Sequence, residues 1–105
     1  MNYDQLTQEE RDDIVASNMY SRELEHYQHA LNIAVYTEAV KSLPAGEWKD
    51  RMLKLKEEAE VEQAKIACLH DALTAQLKDP ARKTAAFERV TAERLKAKES
   101  PAATR

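Results

Sequence analysis

Glycine is almost missing from this 105-residue chain: Gly46 is the only one, and Pro44, Pro80 and Pro101 are the only prolines. A β or α/β fold of this length needs many turns, and turns draw on Gly, Pro and Asn. A chain with one glycine also cannot build a Gly-rich phosphate loop. Cysteine is scarce too. Cys68 stands alone, so no intrachain disulfide is possible, as expected in a reducing compartment. Long apolar runs are absent. None approaches the ~20 residues that span a bilayer. The N-terminal MNYDQLTQEERDD is acidic and polar, unlike a secretory signal. These absences lead us to expect a soluble, cytoplasmic protein.

What is present is helical material. Charged residues make up 33% and hydrophobic residues 43%, with much Ala, Glu, Lys, Leu and Arg. That mixture suits long amphipathic helices. Thr7 and Glu10 have the T-x-x-E spacing of a capping box, and the acidic Glu9, Glu10, Asp12 and Asp13 suit the positive end of a helix dipole. A first helix is predicted over about 8–42, ending where Leu43 precedes Pro44. A second follows over about 47–78, and a third over about 81–98 after Asp79-Pro80, a cap and first-turn pair. Residues 99–105 are expected to be a disordered tail. The expectation is therefore an all-α single domain: a long antiparallel hairpin, coiled-coil-like, plus a shorter C-terminal helix. The thin apolar content of that last helix suggests weak docking or extension from the body.

Two patterns refine the packing. In the second helix, Trp48, Met52, Leu55, Ala59, Glu62, Ile66, Leu69, Leu73 and Gln76 recur at alternating steps of four and three, the a/d spacing of a coiled-coil seam. In the first, Val15, Met19, Tyr20, Leu24, Tyr27, Ala30, Leu31, Ile33, Ala34 and Val35 spread over an arc wider than a two-helix seam. Projection makes Leu24, Tyr27, Leu31 and Ala34 a packing face and leaves His29 and Tyr36 with the solvated residues. The excess arc asks for something beyond the hairpin, either another copy (a homo-oligomer) or another protein.

Three groups of residues could carry function. Glu23 and His26 form an E-x-x-H, Glu62 lies in the opposing seam and His70 at its edge, so that an antiparallel hairpin could bring the four within a few turns of one another. On dimerised hairpins these would supply carboxylates and imidazoles for a di-iron or zinc bundle. Against this stand 13 glutamates in the chain, which make such a spacing common by chance. The aromatics Tyr20, Tyr27, Tyr36 and Trp48 suit either core packing or a partner surface. Tyr36 is the one most readily assigned to an external contact. Finally, residues 1–43 carry three Lys/Arg against eight Asp/Glu, whereas residues 79–105 carry seven against four. The basic end could pair with the acidic start or meet an acidic partner. Nucleic acid is the less favoured partner, because no reader motif accompanies Arg82, Lys83, Arg89, Arg94, Lys96, Lys98 and Arg105.

No catalytic constellation emerges, and Cys68 and His70 fall on different helical faces. The function expected is therefore non-enzymatic and without a cofactor: a small interaction module serving as an accessory, adaptor or inhibitory subunit on another protein. Its contact residues are expected to include Met19, Tyr20, Tyr27, Tyr36, Trp48, Phe87, Arg89 and Arg94.

Overall fold

The computed structural model describes residues 3–103, with side chains over 4–98. Among the described residues there is no strand. A short 3-10 turn at Tyr3–Gln5 precedes three helices: α1 (Gln8–Ser42), α2 (Glu47–Thr74) and α3 (Pro80–Ala103). No described helix is long and apolar enough to cross a membrane.

The helix ends follow local chemistry. Thr7 and Glu10 close the capping box in both directions. The Thr7 amide donates to Glu10 Oε1 at 2.9 Å, and the Glu10 amide donates to Thr7 Oγ1 at 3.1 Å. The Thr7 backbone amide, and after it the Thr7 side chain, hold the Glu10 carboxyl below its usual range. Between α1 and α2, Gly46 has a φ of 149°, a region that side chains bearing a Cβ rarely enter. Its carbonyl accepts from the Asp50 amide at 3.1 Å and opens α2. Asp79 caps α3: its carboxylate accepts from the Arg82 amide at 3.0 Å, and Pro80 fills the first helical position.

Two boundaries differ from expectation. α2 stops at Thr74, short of 78, because the chain tightens into i→i+3 turns, Gln76 to Leu73 at 3.0 Å and Leu77 to Thr74 at 3.2 Å. That departure lets Leu77 turn into a core, where it is fully buried. α3 continues to Ala103, past 98 and through much of the expected tail. Thr104 and Arg105 lie outside the described residues.

The contacts of the chain group into two compact units. Unit 1 combines the N-terminal residues up to Tyr20 with those from Ala72 onward, and unit 2 is Ser21–Asp71. Unit 1 holds the better core. Val15, Ala16 and Met19 of α1 meet Leu77, and Ala86 and Val90 of α3, with Leu73 and Phe87 packed against them. α3 is thus docked, despite its few large apolar residues. Ala86 is fully buried, so the helix backbones approach closely and small side chains suffice. Unit 2 buries far less. Ala59 and Ile66 are its only buried apolar residues.

Candidate interaction face

In unit 1 the acidic start and the basic end attract each other. Asp12 is buried at 5% exposure and accepts a two-pronged contact from Arg82, Nε at 2.9 Å and an Nη at 2.7 Å. Gln8 Nε2 adds a third bond at 2.9 Å. The Arg82 hydrogen bonds outweigh the cost of burial and lower the Asp12 carboxyl to about 2. Arg89 contacts Asp13 at 2.8 Å and Glu9 at 3.6 Å. Arg94 donates to the Ser17 carbonyl at 3.1 Å and lies 4.3 Å over the Tyr20 ring.

Several of the expected contact residues are engaged within unit 1. Met19 is fully buried in the core, and Phe87 packs on it. Arg89, Arg94 and Tyr20 are bound within unit 1. The basic run of α3 is also diluted, because Arg82, Arg89 and Arg94 already serve carboxylates, a carbonyl and a ring of the same unit.

In unit 2, the Glu23 carboxylate lies 3.7 Å from His70 Nε2, and Gln63 Nε2 donates to the His26 carbonyl at 3.4 Å. Arg22, Glu23, His26, Ile66, Ala67, His70 and Asp71 line an open cavity of about 250 Å³. Glu62 is not among them. It pairs with Lys65 one turn along α2, at 3.2 Å. The structure thus brings Glu23 and His26 to His70 rather than to Glu62. The cause is a rotation of the α2 seam. Its half-buried and buried positions include Met52, Lys56, Ala59, Gln63, Ile66 and His70, beside Lys49 and Ala67. Met52, Ala59 and Ile66 match the expected seam, but Leu55, Glu62 and Leu69 give way to Lys56, Gln63 and His70. The two sets differ by one residue, or 100°, and Lys56 and Gln63 can lay aliphatic stems inward while their polar ends stay wet. Among the described residues no group of three or more His, Cys, Asp or Glu is arranged to hold a metal ion.

α1 shows the matching reversal. Half-buried positions of its unit 2 stretch include Arg22, His29, Ile33, Tyr36, Val40 and Leu43, which recur at heptad steps, flanked by Ser21, Asn32, Thr37 and Ala39. Tyr36 is half-buried among them. The expected packing face is instead outside: Leu24 is 51% exposed, Tyr27 63%, Leu31 43% and Val35 64%, and Ala34 is exposed with them. At 100° per residue this stripe lies roughly 160° around α1 from the half-buried face. On α2, Trp48, Val61 and Leu69 are also exposed, with Arg51 5.1 Å over the Trp48 ring.

The sequence points to the Asp12–Arg82 pair only as a general attraction between chain ends. Charge asymmetry is the available signal, and it names no partners. The outward stripe is visible in the sequence as excess apolar arc, but the structure turns it away from the side that hydropathy assigns. Comparison with protein-family models, with curated proteins and with solved structures finds no match for this chain.

Proposed function

We propose that this protein is a non-enzymatic helical interaction module, an accessory, adaptor or inhibitory subunit that docks on another protein in a cytoplasmic setting. In this reading Ser21–Asp71 works as a long antiparallel, coiled-coil-like hairpin. The observation that carries it is the apolar stripe Leu24, Tyr27, Leu31 and Val35, which stands outside while a more polar face meets the rest of unit 2. A contiguous exposed apolar patch with aromatic members marks an interaction site. Trp48, Val61 and Leu69 on α2 add further apolar contact area. The supporting experiment compares capture from a native-host lysate by the wild type and by Tyr27→Lys and Leu69→Lys. The expected result is a partner held by the wild type and lost from one or both variants, whose helicity is unchanged. Equal recovery by all three proteins would overturn the reading.

A further inference from the structure

We propose that Ser21–Asp71 opens and recloses by local unfolding while unit 1 keeps its core. The exposed stripe of α1 is then carried on a segment that has an open and a closed state. Three observations lead to this.

The first is the distribution of burial. In unit 1, Val15, Ala16, Met19, Leu77, Ala86 and Val90 form one buried cluster, with Leu73 and Phe87 packed against it. In Ser21–Asp71 the buried apolar side chains are Ala59 and Ile66, two turns apart on one helix. The half-buried positions there take in Arg22, His29, Lys56, Gln63 and His70. Opening so polar a seam exposes little apolar surface, and local opening is easiest where buried apolar contacts are few.

The second is the ties between helices. In unit 1, Arg82 holds Asp12 at 2.9 and 2.7 Å, and Arg89 holds Asp13 at 2.8 Å. These charge-assisted bonds fasten α3 to α1. Across the hairpin the contacts are longer. Gln63 Nε2 reaches the His26 carbonyl at 3.4 Å, and Glu23 lies 3.7 Å from His70. Shorter ion pairs of this segment, Arg22 with Glu25 at 2.6 Å and Lys65 with Glu62 at 3.2 Å, join residues three apart on one helix. They support that helix and do not join α1 to α2.

The third is unmet polarity. Arg22 Nε and His29 Nδ1 are buried without a hydrogen-bond partner in the chain. A buried polar atom left unpaired is destabilising. That cost falls on the closed hairpin and is relieved when opening returns both atoms to water.

One consequence rests on the reading of the stripe as a docking face. Leu24, Tyr27, Leu31 and Val35 lie in the segment that opens, so a protein that binds only the closed form would hold it closed by mass action.

The test is amide hydrogen exchange of the full chain, under conditions where the rate reports the open population. Amides within 24–40 and 50–70 are expected to exchange at least about tenfold faster than the best protected of 12–20 and 84–92. Val90→Ala separates a local opening from a global one. It is expected to speed exchange in unit 1 by about tenfold or more and to leave that of Ser21–Asp71 unchanged, because unit 1 is folded before and after the hairpin opens. Ile66→Ala is expected to speed exchange across Ser21–Asp71 by about tenfold. Should that variant lose the hairpin altogether, the amides of unit 1 are expected to stay protected. Equal protection in the two units overturns the proposal, as does greater protection in Ser21–Asp71. So does a Val90→Ala variant that speeds exchange equally in both, since the chain then opens only as a whole.

Discussion

Among the described residues, Asp12 is the buried charged side chain. Its carboxylate gives up hydration inside unit 1 and receives Arg82 and Gln8 in return. Because the folded state lowers its titration from 3.8 to about 2, the folded form favours the ionised carboxylate. The resulting stability is fully present above the ordinary carboxylate range and is lost as pH falls from about 4 toward 2. Arg82 stands partly in solvent, so the contribution is about 1–2 kcal/mol. Urea unfolding should therefore show Asp12→Asn less stable than wild type by about that amount at pH 6, with the gap closing by about pH 2. A gap that stays constant across this window would mean that packing, not ionisation, sets the value of Asp12.

At the scale of the element, turn and cap chemistry decide where helices begin and end. Gly46 shows this most sharply. A Cβ there would meet no neighbour within 4 Å, yet its φ of +149° lies where side chains are strained. Gly46→Ala is therefore expected to lower stability by about 1 kcal/mol through backbone strain alone. Thermal unfolding of the variant, with native helicity below the transition, checks it. A gain in stability would show that the turn relaxes to accept a side chain.

The helix starts and the first helix's end are legible because each rests on residues within one turn: Thr7 with Glu10, Leu43 before Pro44, Asp79 before Pro80. The end of α2 is not, since Leu77 leaves the helix to reach a core formed by residues distant in sequence. The faces are harder still. Heptad spacing in α2 fits either Leu55, Glu62 and Leu69 or Lys56, Gln63 and His70, and hydropathy favours the apolar set. The structure half-buries the other, in which Lys56 and Gln63 can line a seam with their aliphatic stems. The apolar residues it leaves outside form part of the candidate site, so the error in packing and the candidate surface have one origin.

For the molecule as a whole, burial is uneven. Leu77 sits fully enclosed in unit 1, and Leu69 of unit 2 is more than half exposed. Leu77→Ala should cost about 2–4 kcal/mol by lost burial and cavity formation. Leu69→Ala should change stability by less than about 0.5 kcal/mol. Chemical denaturation of both variants tests the contrast. Similar losses would show that Leu69 is covered in solution. Charge is uneven as well. The acidic excess of the first 43 residues is partly cancelled where α3 arginines meet Asp12, Asp13 and Glu9.

The contacts of unit 1 join residues 70 to 77 apart in sequence, whereas α1 and α2 in unit 2 are joined by a short turn at Gly46. Closing a long flexible loop is entropically unfavourable and slow. Unit 2 spans that interval, and its own ends are near each other, with Glu23 3.7 Å from His70. Once unit 2 zips outward from its turn, the chain separating Tyr20 from Ala72 no longer acts as a loop of some fifty residues. A unit 2 that formed first would act as a kinetic clasp, shortening the loop that the core of unit 1 has to close.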